Sequence, residues 1–269
     1  MAIIMKAKPV VDAMFENWEK KVDKVAIFSN SEDFASGVYV GNKVKAFNKR
    51  GVEVDVIDTA DKNISDIHAK QVNYEVFGTP YMFQLPQKRD LNLTILLEHM
   101  SPALDMDCMS PNQVGMFYEH PSIYNSPCTP FGITLLLKHY IPREKLQGSN
   151  VVVIGRSAIV GRPIARLMEF EFNSTVTICH SKTKDLKFYT QNADIIIVAV
   201  GKEKLLTAEL VKDGAIIVDV GINRNAEGKV CGDADYDNLL DKVYAITPVP
   251  GGVGPMTVAS LVYKNGEVK

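Results

Sequence analysis

Two stretches of this chain combine residue types able to hold a flat or phosphorylated ligand. Residues 155–163 read GRSAIVGRP and residues 247–257 read TPVPGGVGPMT. The second stretch sets three prolines and three glycines in eleven residues without one charged side chain. A flexible linker is polar and rich in Gly and Ser. Here φ is fixed at Pro248, Pro250 and Pro255 and free at Gly251, Gly252 and Gly254. That mixture predicts a tight, rigid loop whose backbone approaches a ligand closely. An ordinary buried turn is the competing reading; the density of Pro and Gly among apolar neighbours favours the ligand loop.

The GRSAIVGRP stretch follows the apolar run VVVIG and opens a helical pattern. Gly155 permits a tight turn, Gly161 allows close packing or close approach of a phosphate to the helix start, and Pro163 suits a first helical turn. The dinucleotide fingerprint has a glycine where Ser157 stands. On the turn alone, dinucleotide binding and a plain strand–helix turn weigh equally; the sheet pattern around it tips the reading toward the dinucleotide. An acidic residue closing the next strand would hold a ribose diol. This chain has Cys179, His180 and Ser181 there, followed by Lys182. Nothing in that set repels a 2′-phosphate, and Arg156 can pair with one, although a solvated loop charge is its bland alternative. NADP is therefore favoured over NAD.

These residues need a scaffold, and the second half supplies its pattern. Four short β-branched runs, at 151–155, 175–179, 195–201 and 215–221, are nearly continuous in apolar character. Such runs mark parallel strands buried on both faces. Ile164, Leu167 and Met168 are spaced for a helix after the first, residues 207–211 for a short one before the fourth, and residues 245–249 offer a further strand. In the first half, Val11, Met14, Phe15, Trp18 and Val22 mark a helical face. Residues 25–29 and 53–57 read as strands with a helix over about 32–49 between them, and residues 75–85 contain a third strand broken near Gly78 and Pro80. NSPCTP, at 125–130, is a rigid junction, with a linking helix from 131 to 139.

The expected fold class is α/β with two domains: a Rossmann-like doubly wound parallel sheet over 126–249, and a smaller α/β catalytic domain from 1–125 with 250–269, a cleft lying between them. The bulk composition agrees. A chain of 269 residues, 46% hydrophobic and 23% charged, can bury a substantial core. A formal net charge of −2 gives no basic field for nucleic acid. Cys108, Cys128, Cys179 and Cys231 form no CxxC pair, which argues against zinc or a disulfide framework and for reduced thiols in a cytoplasmic protein. No signal peptide or membrane span is expected.

Taken together, SPCTP (126–130), VVVIGRSAIVGRP, TVTICHSKT (175–183), ADIIIVAVGK, AIIVDVGIN and TPVPGGVGPMT resemble the bifunctional methylenetetrahydrofolate dehydrogenase/cyclohydrolase family, in family order from Ser126 onward. The GRSxxVGxP turn and the closing motif are highly specific. The first half matches more thinly: SGVYVGNK resembles the family's Ser-x-x-Tyr-x-x-x-Lys helix, placing Ser36, Tyr39 and Lys43, and Gln-Leu-Pro stands at Gln84, Leu85 and Pro86. The Asp-x-Asp-Gly segment corresponds to Asp105, Met106, Asp107 and Cys108.

The resemblance implies that Lys43, Tyr39, Gln84 and Asp107 form the catalytic set. They bind the tetrahydrofolate substrate together with Leu85, Pro250, Gly251, Gly254 and Val258. Asp107 anchors the pterin edge through a forked pair of hydrogen bonds, Tyr39 stacks on the aminobenzoyl ring, and Gln84 fixes Lys43 without adding charge. Tyr39 and Lys43 stand at i and i+4 and so share a helix face, although most such lysines are solvated surface residues. The implied NADP residues are Thr129, Gly155, Arg156, Ser157, Val160, Gly161, His180, Ser181, Gly221, Ile222 and Thr257. No metal is called for. The implied chemistry is oxidation of 5,10-methylenetetrahydrofolate and hydrolysis of the methenyl product to 10-formyltetrahydrofolate, in one-carbon metabolism and purine biosynthesis. The partners are the folate alone and a second copy of the chain in a homodimer.

Departures from the family pattern cluster at the pterin end. Cys108 replaces a glycine, Leu104 a lysine, and Gln87–Lys88 a second Leu-Pro, while Pro80 stands near a shifted or lost glycine. Three readings follow: the bifunctional enzyme, favoured because Lys43, Gln84 and Asp107 are all present; a dehydrogenase with weak or absent cyclohydrolase activity; and a nucleotide-binding module without catalysis.

Overall fold

In the computed structural model, which describes residues 2–268, the chain divides into two compact units. One comprises Met1–Ala13, Pro121–Ile123 and Pro127–Thr257; the other comprises Met14–His120, Tyr124–Ser126 and Val258–Lys269.

The first unit holds a six-stranded, wholly parallel sheet in the spatial order Ile3–Ile4, Ala245–Ile246, Ile216–Asp219, Ile195–Val198, Asn150–Ile154, Thr175–Cys179. Strands Ile195–Val198 and Ile216–Asp219 are buried at every residue, which is why they read as unbroken apolar runs. The helix Gly161–Phe172 buries Ile164, Leu167 and Met168, the spacing visible in the sequence, and packs on the helix Cys128–Tyr140. Chain order reverses between Asn150–Ile154, whose successor lies on one side, and Ile195–Val198 on the other. That is the topological switch point of a doubly wound sheet. The first strand, Ile3–Ile4, comes from the far N-terminus, where sequence patterning placed none.

The second unit holds a three-stranded parallel sheet in the order Glu53–Asp58, Lys24–Ser29, Tyr81–Phe83. The helix Phe34–Asn48 follows the Lys24–Ser29 strand, N-capped by Asp33, whose carboxylate accepts from Ser36 N at 2.7 Å. Phe28, Tyr81 and Phe83 are fully buried in its core, with Phe28 stacked on Phe83 at 4.8 Å between ring centroids.

Several expectations change here. The helical face drawn through Trp18 stops early: the helix is Ala7–Met14, and Trp18 lies in a strand, Trp18–Lys20, paired antiparallel with Gly266–Val268. The indole lies where a Cβ on Gly266 would fall, and its Nε1 donates to Tyr263 O at 3.0 Å. Long-range pairing thus overrode local periodicity. Residues 75–77 complete a helix, Ile64–Phe77, that sequence patterning missed; Gly78 at φ 65° ends it, and the strand begins only at Tyr81. The linking helix starts at Cys128 instead of 131, with Pro130 in its first turn, where a missing N–H costs nothing. The 247–257 segment is a loop only in its first part, since the helix Val253–Lys264 takes in Gly254, Pro255 and Thr257.

Candidate active site

The switch point of the first unit is shaped by missing side chains. Gly155 has φ 124°, a conformation side chains rarely adopt, and a Cβ there would collide with Ala199 O at the end of the neighbouring strand. A Cβ on Gly161 would collide with Gly155 O, so the helix start rests directly on the turn. Ser157, standing where the fingerprint has glycine, closes the turn: its hydroxyl accepts from Gly161 N at 3.2 Å and its carbonyl from Arg162 N at 3.1 Å. Arg156 and Ser157 are exposed and Val160 is half-buried beside the helix start. The helix Gly161–Phe172 thus presents its N-terminus beyond a tight turn bounded by Gly155 and Gly161, a cradle that fits a pyrophosphate.

Beyond Thr175–Cys179 a compact turn carries the other cofactor candidates. His180 N donates to Thr183 Oγ1 at 2.9 Å, and Lys182 N donates to His180 Nδ1 at 3.1 Å, leaving Nε2 to carry the proton of the neutral ring. Ser181 is exposed next to them. With Arg156 exposed and no carboxylate in this turn, the residues fit a 2′-phosphate. Thr129 and Thr257 are brought together, their hydroxyls 3.0 Å apart. Gly221 and Ile222 follow the strand Ile216–Asp219, and Ile222 leans toward Gly254. Gly251 has φ 110° and its carbonyl accepts from Ala7 N at 2.9 Å; the Val249–Pro250 bond is cis.

In the second unit the site is made of side chains. Tyr39 and Lys43 share one face of Phe34–Asn48. Lys43 is 5% exposed, far drier than an ordinary lysine, and its Nζ donates to Gln84 Oε1 at 2.7 Å and contacts Met82 Sδ at 3.5 Å. Gln84 is steadied in turn: its N donates to Phe28 O at 2.8 Å and its Nε2 to Leu85 O at 2.8 Å. Ser36 Oγ reaches Leu85 O at 3.3 Å, so the helix and the loop after Tyr81–Phe83 are joined at two levels. Leu85 is half-buried and its bond to Pro86 is cis. Burial raises the Tyr39 phenol above its ordinary range, which keeps it neutral. Val258 is half-buried in the helix Val253–Lys264.

Asp107 sits in a turn organised by Asp105. That carboxylate accepts from Asp107 N at 3.2 Å, Met109 N at 2.8 Å and Ser110 N at 2.7 Å. Cys108, between them, takes φ 53° and is buried. The cysteine therefore adopts the left-handed backbone that favours glycine. Burial, then Asp105, push its thiol up to about 12, so it stays protonated and unreactive. Leu104 packs against the Phe28–Phe83 core. Gln87 Nε2 donates to Gln84 O at 2.8 Å and Phe28 O at 3.1 Å, while its Oε1 accepts from Thr59 at 2.7 Å. Sequence reasoning missed Asp105 and Gln87 as braces. It also missed Asp219 and Asp233, two carboxylates buried in the first unit. The signal for Asp219 was an acid inside the apolar run AIIVDVG.

A doubly wound sheet with a glycine-bounded turn at its switch point defines the class of dinucleotide-binding proteins, here with a second unit carrying a buried lysine–glutamine pair. Residues 127–268 match the family model described as tetrahydrofolate dehydrogenase/cyclohydrolase, NAD(P)-binding domain. The bifunctional protein FolD of Agathobacter rectalis is 44% identical over 242 residues, covering 88% of this chain and 85% of that protein. The crystal structure of the bifunctional FolD methylenetetrahydrofolate dehydrogenase/cyclohydrolase from Campylobacter jejuni superposes with a TM-score of 0.90 at 34% identity, covering 98% of this chain and 97% of that one. The Trypanosoma brucei FolD enzyme, solved with NADP cofactor and inhibitor, superposes with a TM-score of 0.88 at 27% identity, covering 98% and 96%. The chain belongs to the tetrahydrofolate dehydrogenase/cyclohydrolase family.

Proposed function

We propose that this protein oxidises 5,10-methylenetetrahydrofolate to the 5,10-methenyl form with NADP and then hydrolyses that product to 10-formyltetrahydrofolate. When bound, NADP would supply the hydride acceptor for the methylene carbon between N5 and N10, whose oxidation gives the cationic methenyl bridge. The first unit holds the dinucleotide through the Gly155–Gly161 turn, with Arg156, Ser157, Val160, His180, Ser181, Gly221, Ile222, Thr129 and Thr257 around it. In the second unit Asp107 anchors the pterin edge, Tyr39 stacks on the aminobenzoyl ring, and Leu85 and Val258 line the substrate. Pro250, Gly251 and Gly254 are assigned to the substrate from the closing motif.

Hydrolysis adds water to the methenyl carbon, breaks its bond to N5 and releases one proton. Lys43 assists that transfer as the positioned acid–base group. The observation that carries this role is the 2.7 Å hydrogen bond from Lys43 Nζ to Gln84 Oε1 at a site from which water is largely excluded. The neutral Gln84 amide fixes the position of the Lys43 amine without adding charge beside it. We assign the activity to the cytoplasm, as a homodimer serving one-carbon metabolism and purine biosynthesis; no helix among the described residues is long and apolar enough to cross a membrane.

The test follows methenyl product and reduced cofactor together in the purified protein and in Lys43→Met. The parent forms NADPH and consumes the methenyl form. The variant is expected to lose hydrolysis by about a hundredfold or more, the scale of a lost acid–base group. Undiminished hydrolysis would remove Lys43 from the mechanism, and accumulation of methenyl product by the parent would favour the dehydrogenase-only reading.

A further inference from the structure

The mechanism leaves two buried carboxylates in the first unit unused, and both hold the loops that follow the strands Ile195–Val198 and Ile216–Asp219. Asp233 is fully buried, yet its carboxylate accepts four hydrogen bonds. Oδ2 takes Val200 N at 2.7 Å and Gly201 N at 3.0 Å, and Oδ1 takes Lys202 N and Asn223 Nδ2, each at 2.8 Å. Three successive backbone N–H groups of one loop converge on this one side chain. The loop leaves the strand Ile195–Val198 next to Ala199, whose carbonyl faces Gly155 across the switch point. Asn223, the fourth donor, follows Gly221 and Ile222 at the end of the adjacent strand.

Asp219 secures Asp233 from below. Its carboxylate accepts from Asp233 N at 3.0 Å, Ala234 N at 2.8 Å and Gly221 N at 2.9 Å. A Cβ on Gly221 would collide with the Asp233 carboxylate, and one on Gly232 with that of Asp219. Both acids are therefore clasped between backbones with no room for a side chain. Burial pushes Asp219 up to about 6, against the backbone donors that favour its charge. Thr247, where the Pro/Gly loop begins, ties onto the same strand: its hydroxyl accepts from Asp219 N at 2.7 Å.

We infer that Asp233, held by Asp219, is a positioning residue for the nicotinamide half of the dinucleotide: it fixes residues 200–202 and 221–223 in the shape that receives the cofactor. In a doubly wound sheet the ligand lies outside the carboxyl ends of the strands at the switch point. The end of Thr175–Cys179 serves the adenosine ribose, so the loops after Ile195–Val198 and Ile216–Asp219, on the other side of the switch, face the other half. A loop of this kind has no ladder to hold it, and its three N–H groups would otherwise turn toward water or the ligand. Gathering them on a buried carboxylate preorganises the loop and exposes its outward face to the cofactor. The inference rests on the NADP-dependent reading above and adds to it the residue that shapes the nicotinamide side.

The bifunctional chain provides its own control, because hydrolysis of the methenyl form needs no NADP. In Asp233→Asn the carboxamide has one acceptor oxygen, so whichever way it turns, two donors lose their partner. Loop conformations that cannot bind NADP then become populated, and the apparent affinity falls by the competent fraction. The expected result is a rise in KM for NADP, and in Kd by direct titration, of at least about tenfold. Hydrolysis of methenyltetrahydrofolate and KM for the folate stay within about twofold of the parent. Unchanged NADP affinity in a folded variant overturns the inference, and so does equal loss of both activities, which would make Asp233 a general support. Should Asp233→Asn not fold, Asn223→Ala decides: it deletes one donor without stranding a charge and is expected to raise KM for NADP about threefold with hydrolysis unchanged. No change in that variant overturns the inference. Direct NADP titration separates the two levels, since a parent that binds NADP without turnover would refute the proposed reaction and leave the loop inference under test.

Discussion

The two units solve recognition in opposite ways. In the first, the switch point is shaped by the absence of side chains: Gly155 and Gly161 bring backbone to backbone, and the buried carboxylates of Asp219 and Asp233 gather the N–H groups of neighbouring loops. In the second, the site is a set of side chains from separate elements, with Lys43 from a helix meeting Gln84 from a loop 41 positions on. A backbone site tolerates almost no added atom. A side-chain site depends instead on the braces that aim each group.

That contrast breaks most readily at Gly161. Gly161→Ala sets a methyl against Gly155 O, and overpacking of this kind costs about 1–3 kcal/mol locally. We expect KM for NADP to rise roughly tenfold or more, with hydrolysis of methenyltetrahydrofolate retained. Steady-state kinetics of both activities decide it; a parallel fall in hydrolysis would mean the units are not chemically separable in this way.

The opposite test removes a brace from the second unit. Gln87→Leu deletes the donors to Gln84 O and Phe28 O and leaves Thr59 without its acceptor. The expected loss is about 1–3 kcal/mol of stability, read as a lower Tm, because polar groups are left unpaired. Hydrolysis should drop severalfold as Gln84 loosens its hold on Lys43, while KM for NADP is unchanged. Unaltered hydrolysis would show that Gln84 is held by its own backbone contacts alone.

Cys108→Gly sharpens the comparison with the smallest effect. Glycine relieves a left-handed residue by about 1–2 kcal/mol. The lost burial of the thiol and the added freedom of the unfolded chain return a similar amount. Denaturant unfolding should place the variant within about 1 kcal/mol of the parent. A larger loss would show that the Cys108 side chain supports the Asp105–Ser110 turn.

The same contrast explains what was legible in the sequence. The first unit's sheet was read from its apolar runs because strands buried on both faces have no polar alternation to confuse them. Its turn was read from glycines that stand where no side chain fits. Trp18 was misassigned because its partner strand, Gly266–Val268, is contributed from the other end of the chain. Cys108 stands where the family pattern has glycine, and its buried side chain rides on a backbone that keeps the glycine conformation.

The doubly wound sheet and the glycine-bounded turn at its switch point are written in the sequence, because strand periodicity and steric exclusion at glycine are local properties. Tertiary packing alone makes Lys43 dry and joins it to Gln84, sets Gln87 against Gln84 and Asp105 against the 107–110 turn, and gathers on Asp233 the N–H groups of a loop more than thirty residues before it. Burial and hydrogen-bond partnership depend on residues distant in the chain, and packing alone brings them together.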